Sequence, residues 1–122
     1  MFSPDELMRF AVRALDSKMA KDITVLKTRE VTMLADYFII CTASSTTQIK
    51  TLSDELEKTL KDKGEPSLRR EGYRGGGWVL VDFGCVVVHI FLKDLREFYN
   101  LEHLWGDAVR IGVDDILQVK EA

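Results

Sequence analysis

Trp78-Val79-Leu80-Val81-Asp82-Phe83-Gly84-Cys85-Val86-Val87-Val88-His89-Ile90-Phe91 is the stretch from which the fold can be read. Both of its runs are rich in β-branched and aromatic residues. Gly84-Cys85 between them suits a two-residue turn, so the stretch predicts a tight hairpin. That turn sets Asp82 opposite Val87, Leu80 opposite His89 and Trp78 opposite Phe91, with all six on one sheet face. The reverse face carries Val79, Val81, Phe83, Val86, Val88 and Ile90, a continuous apolar set that should pack beneath helices. The first face mixes Trp, Asp and His among apolar residues. Such polar groups need water or partners, which suits a recognition surface better than a dry core.

Upstream of the hairpin, Gly75-Gly76-Gly77 interrupts regular structure, and residues 68–71 are a weaker strand candidate. Ser45 followed by Gln48 reads as a capping box. Ile49, Leu52, Leu56 and Leu60 then continue at helical spacing until Gly64, where a helix usually stops. Residues 23–26 and 36–41 are β-type runs. Ser3-Pro4-Asp5-Glu6 is another helix start, with Ser as cap, Pro in the first turn and Glu closing the box. Leu7, Phe10, Ala11, Ala14, Leu15 and Met19 fall on one face of that helix. Downstream, residues 94–99 and 100–105 predict short helices with caps at Asp94 and Asn100.

The order α-β-β-α-β-β-β followed by short helices predicts an α/β fold, a mixed five-stranded sheet flanked by helices. A single domain should span residues 1–122, with a short extra element or a mobile tail after about residue 107. The 122 residues are 46% apolar, enough for one core. Twenty acidic against 17 basic residues give a formal net charge of -3, without the global positive field of a bulk nucleic-acid binder. A protein partner with a basic face fits better. Cys41 and Cys85 sit in strand-like apolar surroundings without metal-ligand spacing, so both are expected as buried reduced thiols. The N-terminus lacks the apolar core of a signal peptide and the character of a transit peptide, and no stretch approaches membrane-spanning length. A bacterial cytoplasmic location is the expectation.

Three other readings of these residues compete. Trp78 and Phe91 can cover the edge of the core while His89 bonds Asp82, and Tyr99, Leu101, Leu104 and Trp105 have the spacing of ordinary helix packing. Cys41, Cys85 and His89 invite comparison with a Cys-His hydrolase, which needs an accessible thiol beside a positioned base. Arg69-Arg70 and Arg74 beside the glycine run suggest direct RNA binding, an auxiliary contact to phosphates, although three such arginines are more often a solvated edge.

Several ordered motifs coincide along nearly the whole chain. They are Ala14-Leu15-Asp16-Ser17-Lys18, Asp22-Ile23, Ala35-Asp36-Tyr37-Phe38-Ile39-Ile40, Ser44-Ser45 and Glu71-Gly72. Further on come both hairpin strands and Arg96-Glu97-Phe98-Tyr99-Asn100-Leu101-Glu102-His103-Leu104-Trp105. Together they resemble the Iojap-type ribosomal silencing factor family. The departures are Cys85, where that family usually carries Asp, and Lys27, where an acidic residue is common. The resemblance implies a nucleotidyltransferase-like fold and a non-catalytic repressor that binds ribosomal protein L-fourteen of the large subunit. Such a factor excludes the small subunit when nutrients are scarce. The family includes homodimers, and no cofactor, metal or catalytic residue is implied. The expected interface centres on Trp78, with Asp82, His89, Arg96, Tyr99, Leu101, Glu102, Leu104 and Trp105 at or near it. The fold analogy also raises an enzyme, a nucleotidyltransferase, but that chemistry needs clustered carboxylates for magnesium. Asp82 stands alone on its strand, and Ser44-Ser45 has no Asp-x-Asp beside it. Ser44 to Thr47 can bind an anion at a helix start, although capping explains them.

Overall fold

In the computed structural model, which describes residues 2–72 and 76–118, the chain opens with the reciprocal cap expected at Ser3. Ser3 Oγ accepts from the Glu6 amide at 3.2 Å, and Glu6 Oε1 accepts from the Ser3 amide at 3.0 Å. Helix α1 (Pro4–Ser17) then buries Leu7, Met8, Ala11, Val12, Ala14 and Leu15. Met19 lies past its end, left-handed at φ 66° and 77% exposed, so the apolar spacing overran the helix.

Strands β1 (Lys21–Lys27) and β2 (Tyr37–Ala43) pair antiparallel and lead into helix α2 (Thr46–Asp62). Only half of the second capping box forms: Ser45 Oγ accepts from the Gln48 amide, but Gln48 Oε1 accepts from the Ser44 amide and hydroxyl instead of from Ser45. The Gln48 side-chain Nε2 donates to the carbonyls of Lys18 and Met19, tying the start of α2 to the end of α1. This longer reach satisfies more orphan groups than a local box would.

Strands β3 (Arg69–Glu71), β4 (Trp78–Asp82) and β5 (Val86–Leu92) follow. The hairpin has the register set by its turn, with Trp78 opposite Phe91, Leu80 opposite His89 and Asp82 opposite Val87. Gly84 takes φ 88°, a conformation natural to glycine, and its amide donates to the Asp82 carboxylate at 2.7 Å. Cys41 is buried, whereas Cys85 is half-buried, because a turn residue cannot be covered on all sides.

Helices α3 (Lys93–Tyr99) and α4 (Leu101–Leu104) come next. Neither has a side-chain cap at its start: Asp94 lies inside the first turn of α3, and Asn100, at φ 47°, is the hinge between the two helices. The segment after Asp107 supplies strand β6 (Val109–Ile111) and helix α5 (Val113–Gln118). The sheet therefore has six strands, not five, in the order β3-β4-β5-β2-β1-β6, with β2 and β5 parallel and the other neighbours antiparallel. A three-residue strand is too short to show a period of two in sequence.

One face of this sheet, including Val79, Val81, Val86, Val88 and Ile90, packs beneath α1, α2 and α5. The other presents Leu26, Phe38, Ile40, Val87 and Phe91 to Leu95 of α3, Leu101 of α4 and Trp105 just beyond. The chain leaves β2 toward the first face and β5 toward the second.

Candidate docking groove

The Trp-His-Asp face is not the bare recognition surface its composition suggested. Phe91 is 1% and His89 5% exposed, because α3 and α4 close over much of it and build a second, smaller core. What stays open is a groove of about 450 Å³. Its floor and walls are Phe38, Trp78, Leu80, Val87 and His89 from the strands and Leu101, Leu104 and Trp105 from the α4 segment, while Leu34, Arg69 and Asp82 complete the lining.

Aromatic packing sets its shape. The Trp78 ring stacks on Phe91 at 4.9 Å between centroids and touches Tyr99 at 4.7 Å, and Trp105 meets Phe38 edge-on at 5.3 Å. The indole Nε1–H of Trp78 donates to His89 Nδ1 at 3.2 Å. This replaces the His89–Asp82 bond considered from sequence, because Asp82 is turned to the Gly84 amide and to Arg69 Nε at 3.1 Å. With Nδ1 accepting, the neutral imidazole carries its proton on Nε2. That nitrogen is buried and has no hydrogen-bond partner among the described residues. Burial alone pulls the imidazole pKa down from 6.5 to about 4, so the ring is neutral at physiological pH. An orphan donor of this kind destabilises a fold by about 1–3 kcal/mol.

Of the residues expected at the interface, the groove gathers Trp78, Asp82, His89, Leu101, Leu104 and Trp105. Tyr99, 47% exposed, stands against Trp78 and extends the aromatic surface beside it. Arg96 and Glu102 are placed elsewhere. The Arg96 side chain is 11% exposed, and its guanidinium donates to Glu102 Oε1 at 2.8 Å, the Asp22 carbonyl at 2.7 Å, Thr42 Oγ1 at 2.8 Å and Thr24 Oγ1 at 3.0 Å. It binds the α3–α4 hairpin to β1 and β2, and its hydrogen bond holds the Glu102 carboxyl below the usual carboxylate range. Asp22, bonded in this way, is itself left-handed at φ 50°. Sequence reasoning passed over Leu34, 71% exposed beside a fully exposed Met33 in the β1–β2 connection. Two consecutive apolar residues within a polar connecting segment were the available signal.

The competing chemistries find little support in this geometry. Asp82 sits level with the start of β2 and Ser44 follows its end, a separation of about 20 Å along the strands. Cys41 is fully buried and its thiol is pushed up to about 12 by burial. Arg69 pairs with Asp82 and Glu71, and Arg70 reaches back to Ser53, Asp54 and Glu57 on α2. Arg74 and Gly75 lie outside the described residues.

The groove is aromatic and aliphatic, its His89 Nε2 has no partner among the described residues, and its charged residues, Arg69 and Asp82, pair with each other at the margin. A family model described as "Ribosomal silencing factor during starvation" matches residues 2–122. The ribosomal silencing factor RsfS of Halalkalibacterium halodurans is 41% identical over 115 residues, 94% of this chain and 98% of that protein. The mouse protein named "Mitochondrial assembly of ribosomal large subunit protein 1" is 35% identical over 111 residues, 88% of this chain and 48% of its own length. A crystal structure of a Chromobacterium violaceum protein superposes with a TM-score of 0.84 at 38% identity, covering 86% of this chain and 88% of the other. This chain belongs to the ribosomal silencing factor family, a family of non-enzymatic regulators of translation.

Proposed function

We propose that this protein represses translation by docking its groove onto the large ribosomal subunit, through ribosomal protein L-fourteen, so that the small subunit is sterically kept away. The observation that carries the reading is the groove itself: Trp78 held rigidly by Phe91, Tyr99 and His89 is an aromatic anchor already in place. Anchors of this type dominate interface energies because little side-chain entropy remains to be lost. No bond need be made or broken. The mouse relative's name refers to assembly of the large ribosomal subunit, which agrees with the choice of particle. Repression belongs to nutrient limitation in a bacterial cytoplasm on this reading, and ribosomal RNA is at most an auxiliary contact. A second copy of the chain competes for the same groove if homodimers form.

An order-of-addition experiment tests this. Purified large subunits incubated first with the protein should form few complete ribosomes when small subunits follow. Adding the protein after assembly should do much less. Equal effects in both orders would argue against occlusion, and no association with large subunits at low salt would end the proposal.

A further inference from the structure

We infer that His89 Nε2–H is the polar reading head of the groove, a donor kept free to bond a neutral oxygen on the docked partner: a backbone carbonyl, a hydroxyl or a carboxamide. The inference rests on the docking function proposed above and specifies the chemistry at its centre. Trp78 occupies Nδ1 and so commits the ring to one tautomer, with its remaining hydrogen on Nε2. No group among the described residues accepts that hydrogen, and the atom has essentially no contact with solvent. Apolar side chains occupy the neighbouring positions on this face of β5, Val87 and Phe91, and the bond from Trp78 uses Nδ1 alone, so local packing gives Nε2–H no role. An acceptor for Trp78 alone would not need a second, unsatisfied nitrogen, and an orphan donor on a residue that lines a concavity therefore marks a place for a ligand.

The surroundings select the acceptor. The nearest charged groups in the lining are Arg69 and Asp82, and they pair with each other, with Glu71 as a second partner of Arg69. A carboxylate or phosphate entering between Leu80, Leu101 and Leu104 would lose its water without meeting an uncompensated positive charge. A neutral oxygen meets no such penalty, and its bond to Nε2 would be strengthened by the low local polarity. Because Nε2 is covered in the free protein, a lining side chain must rotate as the partner seats.

Two substitutions separate the ring's two nitrogens. In His89→Asn the side-chain oxygen takes roughly the place of Nδ1, so Trp78 keeps its acceptor while the Nε2 donor is lost. In His89→Gln the amide nitrogen reaches roughly the place of Nε2, so a donor remains. Binding to purified bacterial large ribosomal subunits is measured by co-sedimentation at pH 7, with thermal melting of each free protein beside it. Wild type should bind, His89→Gln should stay within about threefold of it, and His89→Asn should weaken binding about tenfold without a lower melting temperature. Wild-type affinity in His89→Asn would overturn the inference while leaving the ribosomal reading intact. So would equal losses in both variants with unchanged melting, since ring shape rather than the donor would then be what matters. Failure of the wild-type protein to bind would remove the ribosomal reading and this inference with it.

Discussion

Trp78 and His89 are diagonal neighbours across the β4–β5 hairpin, not directly opposed, and the indole of one donates to the imidazole of the other at 3.2 Å. Diagonal pairs in a twisted antiparallel ladder are within reach of long aromatic side chains. Here the reach settles two things together: it holds the indole against the groove, and it fixes which imidazole nitrogen carries the proton. An energetic weakness in the free protein and a rigid anchor arise from the same bond.

Truncating that anchor should be the most damaging single change to binding. Trp78→Ala is expected to reduce affinity for large subunits by about 30-fold, equivalent to about 2 kcal/mol, with Trp78→Phe in between. Pelleting titrations check this, and far-ultraviolet dichroism verifies that both variants are folded. Undiminished binding by folded Trp78→Ala would show that the groove is not the docking face.

Stability should fall in mild acid in a way that His89 controls. Its folded pKa of about 4 lies below the unfolded value of 6.5, so the unfolded chain takes up the proton first. The favourable contribution is complete above pH 6.5 and is lost progressively as pH falls toward 4. Between pH 7 and 4.5 the loss is on the order of 2 kcal/mol. Urea titrations at the two pH values should show this loss in wild type and not in His89→Asn, over any change common to both.

Arg96→Met should destabilise the fold by about 2 kcal/mol, because it removes four hydrogen bonds and leaves the partly buried Glu102 carboxylate with Arg110 at 3.6 Å. Arg96→Lys should restore little, since one ammonium cannot reproduce a fork that serves Glu102, Asp22, Thr24 and Thr42 together. Thermal melting measures both. A small effect of Arg96→Met would mean that α3 and α4 are held chiefly by their apolar contacts.

Two glycines with similar backbones should respond differently to alanine. Gly72, at φ 84°, would place a methyl group 2.2 Å from the Trp78 carbonyl oxygen, whereas Gly64, at φ 89°, has open space around it. Gly64→Ala should cost about 1 kcal/mol, from backbone strain alone. Gly72→Ala should cost about 1–3 kcal/mol more, as the clash displaces the start of β4. Equal melting temperatures would contradict this.

The β4–β5 register and both long helices follow from local patterns, because a two-residue turn fixes pairing and a wide apolar stripe fixes a helix face. The sixth strand was illegible for the opposite reason: Val109–Ile111 becomes a strand only by pairing with β1 more than 80 residues earlier. The site divides the same way. Trp78, Asp82 and His89 shared a face that alternation could place, and Leu101, Leu104 and Trp105 had helical spacing. Arg96 looked like an interface residue because arginine is common in both roles, and only its four simultaneous bonds show that it turns inward. Whether Nε2 of His89 has a partner cannot be inferred from a pattern, since it depends on every atom that surrounds the ring.

The parallel seam between β2 and β5 joins strands about 50 residues apart, and Phe38 and His89, on either side of it, face one another at 5.4 Å in the groove lining. Closing this seam spans a longer loop than closing a neighbouring hairpin does, so it is the entropically costlier pairing. A chain still emerging during synthesis has no groove, however much local structure it has acquired. The groove is therefore a property of the closed domain, since its lining comes from both sides of the seam and from the segment beyond β5.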